Sequence, residues 1–424
     1  MGTWDKVTEG LTNEDEPRTG AHSAPARQPS ARQRALLLCH RIPYPPDKGD
    51  KIRAWRLLGA LAERYDVSLG AFVDDEDDWQ HEDVLRARCA SLCLRPARRR
   101  PGPRQAAGAA LRGLPLSFAT HKDEEMLAFV AAQRAGGLAL EAAFSAQMLP
   151  YLGGASAPVI IDLADVDSEK WSAYAGAARP PLRWLYAREA QLLAEAERRA
   201  THRGRTFLVT PEEAAILRAR PGVNADAVDY YRNGVDTDYF APGLVPPAAD
   251  APEIVLTGAM DYAPNAEAAR FLAEEILPLV RRARPAVTLG LVGARPGPRV
   301  QALGAQPGVL VTGRVPDIRP YLEGARVAVA PLAVARGVQN KVLEAMAMGV
   351  PVVASAGAAT GTGAAPGEHL LVADGAEATT AAVLRVLSDD ALAARLGAAG
   401  RAKVTRDDAW ETTLRRLRAA FPPE

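Results

Sequence analysis

Cysteine is scarce in this chain, net charge is absent, and neither a long apolar run nor a dinucleotide-type glycine fingerprint occurs. The three cysteines in 424 residues are Cys39, Cys89 and Cys93. Their number is odd and Cys39 ends the apolar run ALLLC, so a disulfide framework is not expected and a reducing compartment fits better. No second Cys or His pair follows at zinc-site spacing, so Cys89 and Cys93, four apart, read as neighbours on a helix. Lys plus Arg and Asp plus Glu number 51 each, which removes any global attraction to nucleic acid and makes a basic site a local matter. No run approaches the ~18–20 apolar residues of a membrane-spanning helix; even ARVAVAPLAVA, positions 325–335, is short enough for a buried strand. Residues 1–34 are polar, with no apolar centre, and read as a disordered tail rather than a secretory signal. No G-x-G-x-x-G opens either half, which disfavours a dinucleotide dehydrogenase.

What is present is alternation. A chain of this length exceeds one ordinary core, so two domains are expected. The stretch RALLLCHRIPYPPDKGDKIRAWRLLGALAERYDVSLGAFV gives an apolar strand, a Pro/Gly/Lys loop, an amphipathic helix and a second strand, the opening of a βαβ unit. A long helix is expected near 181–200, a strand at TFLVT, and a helix at PEEAAILRA with proline at its first position. APGLVPPAADAPE, positions 241–253, has no periodicity and reads as a linker. A second alternating series follows, from IVLTGAM to VPVVAS. The expected fold class is α/β: two Rossmann-like, doubly wound domains over 35–240 and 254–406, facing a cleft, with a helix over 407–424 returning to the first.

Ligands of parallel sheets bind where strands end and helices begin, because unpaired N–H groups and the helix dipole point there. In the second domain LTGAMDYAPN offers Gly258 and Asn265, LVGARPG offers Gly293 and Arg295, and VTGRVPD offers Gly313 and Arg314. ARGVQNKVLEAM offers Arg336, Gly337, Asn340, Lys341 and Glu344. Glycines converging on one rim suit a nucleotide, although any doubly wound domain has glycines at such turns. A glutamate one turn into a helix at that rim can accept from both ribose hydroxyls, while Lys341 and the helix N-terminus favour a diphosphate. A solvent-facing Glu344 beside Lys341 is the bland alternative.

In the first domain, PPDKGDK places Gly49 for close backbone approach and Lys48, Lys51 and Arg53 for charge, unless it is an ordinary exposed loop. His40, beside this loop, is the one histidine of six near the presumed cleft. DLADVDSEKW carries Asp162, Asp165 and Asp167, and a second D-x-D lies at 236–238. Paired carboxylates invite a metal reading, but helix capping by Asp165, Asp167 or Ser168 fits equally. RPARRRPGPRQAAGAALR, positions 95–112, is strongly basic and suits either an anionic membrane surface or a solvated loop.

The run EAMAMGVPVVAS resembles the donor-binding segment of family 4 glycosyltransferases of the GT-B fold. These carry an acid, seven intervening residues, then a second acid; Glu344 falls on the second, and Arg336 stands in the place of the first. The resemblance covers most of positions 35–400 and includes RNGVDTDYFAP and GRVPD. HRIPYPPDKGDKIRAW, PLSFATHK, DLADVDSEKW and RGVQNKVLEAMA are further similar to a subgroup tied to exosortase and PEP-CTERM exopolysaccharide systems. The resemblance implies a retaining sugar transfer from a nucleoside diphosphate donor to a lipid-linked or oligosaccharide hydroxyl. No metal or other cofactor and no nucleic acid are implied.

It implies donor binding by Gly49, Gly258, Asn265, Gly293, Gly313, Arg314, Arg336, Gly337, Asn340, Lys341 and Glu344. Acceptor binding falls to His40, Lys48, Lys51 and Arg53, and catalysis to Asp165, Asp167 and Lys341. The expected place is cytoplasmic, peripheral at the inner membrane face through 95–112. A nucleotide-sugar epimerase of the same fold and a non-catalytic nucleotide-sugar-binding protein are the alternatives.

Overall fold

A computed structural model describes residues 32–98, 101–333 and 337–423. The chain divides into two compact units, one running Gly234–Thr412 and the other comprising the described residues up to Asn233 together with those from Thr413 onward. The expected tail, 1–34, falls outside the described residues except for its last three positions.

The N-terminal unit is built on a seven-stranded parallel sheet: β1 (Arg34–Cys39), β2 (Asp66–Val73), β3 (Ser91–Pro96), β4 (Leu140–Phe144), β5 (Val159–Ala164), β6 (Arg205–Leu208) and β7 (Val228–Tyr230). Their order is β3-β2-β1-β4-β5-β6-β7. Covered on both faces, the inner strands are mainly apolar, and every residue of β4 is buried; the buried charges Glu141 in β4 and Asp162 in β5 are paired with Arg134 and Arg53. The strand order reverses direction between β1 and β4, which makes their carboxyl ends the switch point where a crevice opens.

The C-terminal unit repeats the plan with β8 (Ile254–Thr257), β9 (Leu289–Val292), β10 (Val309–Gly313), β11 (Val327–Ala330), β12 (Val352–Ala354) and β13 (Leu371–Val372), in the order β10-β9-β8-β11-β12-β13. Its switch point lies between β8 and β11. Gly258 follows the first of these strands and the segment leading to Glu344 follows the second.

Several expectations need correction or relocation. Cys89 closes the helix Glu82–Arg88 and Cys93 sits in β3, so the two are not neighbours on one helix. All three cysteines are free thiols, and burial raises the pKa of each. The segment 241–253 is tied to the C-terminal unit: Gly243 N donates to Glu323 Oε1 at 3.1 Å and Ala248 N to Pro320 O at 3.0 Å. The chain passes between units at 233/234 and again at 412/413. Beyond that second passage, Arg418 pairs with Glu63 at 2.9 Å, Arg416 with Asp229 at 3.1 Å, and Phe421 packs edge-on against Tyr65. Among the described residues no helix is long and apolar enough to cross a membrane.

Candidate functional site

The switch point of the C-terminal unit is a tight glycine rim. Gly258, at φ 139°, adopts backbone geometry closed to ordinary L-residues. A Cβ there would lie 2.8 Å from Asn265 Nδ2 and 3.2 Å from Lys341 Cε. Gly293, at φ 153°, approaches so closely that its Cβ would lie 1.9 Å from Gly258 O. The two turns are stitched by Gly258 N donating to Val292 O at 3.0 Å and Met260 N to Ala294 O at 2.8 Å. Gly293 N donates to Thr312 Oγ1 at 3.2 Å, which brings in the end of β10 and Gly313. Gly337, three positions before the helix that carries Lys341, packs against Gly361, where a Cβ would lie 2.1 Å from Gly337 O.

The helix Asn340–Ala347 starts at this rim. Val342, Leu343, Ala345, Met346 and Ala347 are buried, while Asn340, Lys341 and Glu344 lie partly open on the remaining face. Among the described residues neither the Lys341 ammonium nor the Glu344 carboxylate makes a side-chain hydrogen bond or ion pair. Both are nonetheless desolvated by the surrounding protein. Burial pushes Glu344 up to about 7 against the pull of Lys341, and burial lowers Lys341 against the pull of Glu344. A charged pair held on one helix face with hydrogen-bonding capacity unspent is a binding arrangement.

Other expected donor contacts are placed differently. Asn265 is buried, and its Nδ2 donates to Ala259 O at 2.8 Å, so it pins the Gly258 turn; its Oδ1 is buried without a partner among the described residues. Arg295 pairs with Asp261 at 2.7 Å. Arg314 is exposed. Asn340 keeps a buried Oδ1 without a partner among the described residues. Arg336 lies outside the described residues.

In the N-terminal unit two of the four expected acceptor residues prove to be internal. Arg53 is 1% exposed, and every nitrogen of its guanidinium donates: Nε to Asp162 Oδ2 at 2.8 Å, Nη1 to Tyr231 O at 2.8 Å, Nη2 to Leu208 O at 3.3 Å. The Tyr231 hydroxyl donates to the same Asp162 carboxylate, and its ring lies 3.5 Å under the guanidinium. Lys51 is 2% exposed and donates to Asp78 at 2.6 Å. Neither can reach an acceptor, because burial of these charges is tolerated only through partners that occupy their donors. Lys48 is partly exposed ahead of the helix Gly49–Ala62, and nothing lies within 4 Å of where a Cβ on Gly49 would be. The protein itself makes no demand for glycine there.

Asp165 and Asp167 are both engaged by Lys170, at 2.8 and 3.1 Å. Their charge is therefore half neutralised, and neither caps the helix Asp167–Ala177. Ser168 instead donates from its N at 2.9 Å and its hydroxyl to Glu197. Asp236, of the second D-x-D, accepts from Tyr239 N at 3.0 Å, a local turn bond.

His40 follows β1 at the other switch point, stacked on Phe144 with ring centroids 5.6 Å apart. Its Nε2 lies 3.5 Å from Asp50 Oδ2, and its Nδ1 is buried without a partner among the described residues. The surrounding network escapes a sequence reading: Arg41 pairs with Asp50 and, at 3.0 Å, with Asp74, and His121 Nε2 lies 3.1 Å from His40 O. Burial opposes the charge of Asp50, but His40 and Arg41 together hold it well below the usual carboxylate range. Burial, with His40 second, pushes His121 down to about 4. Ser145, at φ 81° directly after β4, carries no sequence signal either. The sequence signals for this cluster are the acid-base density of HRIPYPPDKGDK and, for His121, the PLSFATHK stretch.

The family model for glycosyl transferases group 1 matches residues 251–389, within the C-terminal unit. No curated protein sequence matches the chain. Among solved structures it is similar to sucrose-phosphate synthase from Thermosynechococcus elongatus, with TM-score 0.62 and 21% identity over 91% of this chain and 97% of that one. It is similar to HepE from Anabaena in complex with UDP, with TM-score 0.63 and 15% identity over 91% and 98%. WaaG, a glycosyltransferase involved in lipopolysaccharide biosynthesis, gives TM-score 0.62 and 15% identity over 92% and 100%. The two Rossmann-like parallel sheets with their helices are thus those of the GT-B glycosyltransferase fold.

Proposed function

We propose that the protein is a glycosyltransferase that takes a sugar from a nucleoside diphosphate donor held on the C-terminal unit and delivers it to a hydroxyl acceptor. The observation that carries this reading is the meeting of the Gly258 and Gly293 backbones with Lys341 and an unpaired Glu344 at one switch point. Glycine backbones admit a flat ring or a phosphate to van der Waals distance. Glu344 accepts from the two ribose hydroxyls, a task for an ionised carboxylate. Lys341 and the first amides of its helix meet the diphosphate, whose charge grows as the glycosidic bond breaks, and Arg336 supplies a second cation. The match of the segment to group 1 enzymes supports the reading, and HepE, solved with UDP, suggests UDP as the first nucleotide to try.

The finer parts of the reading rest on the resemblance of EAMAMGVPVVAS and the subgroup motifs. Transfer occurs with retention, and the product is an exported bacterial polysaccharide. The acceptor is a lipid-linked or oligosaccharide chain, met by the N-terminal unit at the cytoplasmic membrane face through the region of 95–112. His40 and Lys48 remain the acceptor-side candidates, since both keep exposed surface. Asp165 and Asp167 act on the acceptor only if Lys170 yields one of them.

Thermal shift with UDP and GDP tests the donor site, because a ligand bound to the folded form raises stability by RT ln(1 + [L]/Kd). Losing two charge-assisted hydrogen bonds should weaken binding by roughly 100-fold or more in a Glu344→Ala variant. Transfer from the best sugar nucleotide, with the product anomer read by NMR, tests retention. Unaltered donor affinity and turnover in Glu344→Ala, or sugar isomerisation without transfer, overturns the proposal.

A further inference from the structure

Two surface stretches of the N-terminal unit combine exposed apolar side chains with one sign of charge. Positions 101–122 contain Arg104, Arg112 and Lys122 and no acid, and positions 171–188 contain Arg179, Arg183 and Arg188 and no acid; Lys170, just before them, is held by Asp165 and Asp167. Of the eleven large apolar side chains exposed among the described residues, six lie in these stretches. Leu111 is 89% exposed, Trp184 69% and Leu182 50%. The sequence alone places the basic character at 95–112. The structure alters that: Arg95 is neutralised by Asp123 at 3.0 Å and Glu125 at 2.5 Å, and Pro103–Leu111 is a helix.

The two stretches adjoin. Arg188 Nη2 lies 3.5 Å from Ala110 O, and the buried Glu189 carboxylate accepts from Leu116 N and Ser117 N, each at 2.8 Å. These bonds hold the end of the first helix, with the turn after it, beside the opening of the helix Leu182–Thr201. Leu182, Arg183, Trp184 and Leu185 are all exposed. Four consecutive residues span a full helical turn, so every side of that turn keeps exposed surface, with Leu182 50%, Trp184 69% and Leu185 40% exposed. Leaving Leu and Trp in water on every side forgoes their burial, and a patch of this kind marks an interaction surface.

We infer that this face docks on an anionic lipid bilayer. Trp and Leu suit the boundary between head groups and acyl chains, arginines suit the phosphates, and the acid-free rim lets both be satisfied together. The proposal extends the membrane side of the proposed function. Its test uses no nucleotide sugar, so its failure leaves donor binding and transfer to a soluble acceptor standing.

Flotation of the full chain on vesicles reads the contact. It should float with phosphatidylcholine–phosphatidylglycerol mixtures, float poorly with phosphatidylcholine alone, and lose binding as salt rises. A Leu111→Ser/Trp184→Ser variant should bind about tenfold more weakly, with little change in melting because both side chains are mostly exposed. Arg179→Ser/Arg183→Ser, a separate variant, should bind more weakly and with a flatter salt dependence. Absence of flotation on the phosphatidylglycerol-containing vesicles, or equal flotation of wild type and both variants, overturns the proposal. So does a dimer in solution that the first variant dissolves while flotation is absent, which would make the occupant a second copy.

Discussion

At the scale of single residues, charged side chains do opposite work in the two units. Lys341 and Glu344 keep their hydrogen-bonding capacity unspent at a glycine rim, whereas Lys51 and Arg53 have spent theirs inside the N-terminal unit. Removing one partner of a buried ion pair strands the other, at about 3–5 kcal/mol. Arg53→Ala should therefore lower the stability of the N-terminal unit by that order, with Asp162 left charged in the core, while UDP affinity on the other unit is unchanged. Denaturant unfolding beside nucleotide titration checks it; an Arg53 variant that melts normally but shows a raised acceptor KM would restore the acceptor role. Glu344 is legible in the sequence because its helix, glycine and strand form a local pattern. The fate of Arg53 is not, because its carboxylate partner lies 109 positions along the chain and only the sheet brings them together. Lys170 escapes for the converse reason: it stands in plain view within DLADVDSEKW, but a lysine among aspartates says nothing of which carboxylate it will hold.

At the scale of elements, alternation of strands and helices is legible throughout, because buried parallel strands are mainly apolar runs between glycine turns. Ends and ties are less so. Pro278 falls within the long helical pattern of 263–283, and the helix accommodates it by widening to a π-turn over Phe271–Ile276 just before it. The proline-rich stretch 241–253 lacks periodicity and so reads as loose, yet its approach is clamped. Arg319 pairs with Asp317 at 2.6 Å, donates to Tyr239 O at 3.1 Å and lies 3.6 Å over the Tyr239 ring, while the Tyr239 hydroxyl reaches Asp317 at 3.2 Å. This gives the GRVPD turn a structural use: it fastens the incoming chain to the C-terminal unit. Arg319→Ala should loosen residues 236–248 by about 1–3 kcal/mol of local opening free energy. Hydrogen exchange resolved by peptide should show lost protection there and little change at the sheet. Unaltered protection in 236–248 would mean that the clamp contributes nothing.

At the scale of the whole molecule, each unit carries a desolvated group that titrates between pH 4 and 7, His121 in one and Glu344 in the other, and the two give opposite responses to pH. His121, in the N-terminal unit, has its folded pKa pushed down to about 4 from 6.5 by burial and by His40. The unfolded chain therefore binds the proton first, and stability present above the unfolded value is lost as pH falls from about 6.5 toward 4. At pH 5 that loss amounts to about 2 kcal/mol. Glu344, in the C-terminal unit, has its folded pKa raised to about 7 from 4.5 by burial. Here the folded form holds the proton longer, so stability falls as pH rises from about 4.5 to 7, by about 1–2 kcal/mol once its partial exposure is allowed for. A molecule of two units need not unfold in one step, so the two slopes should be separable. Urea unfolding at pH 5 and pH 8 should show His121→Gln gaining on wild type at pH 5 and Glu344→Gln gaining at pH 8. Saturating UDP should erase the second gain, because the wild-type carboxylate then has hydroxyl donors and the neutral amide that replaces it does not match them. If Glu344→Gln gains equally at both pH values, the carboxylate is not desolvated, and the helix face that presents it to the glycine rim must be more open than its surroundings imply.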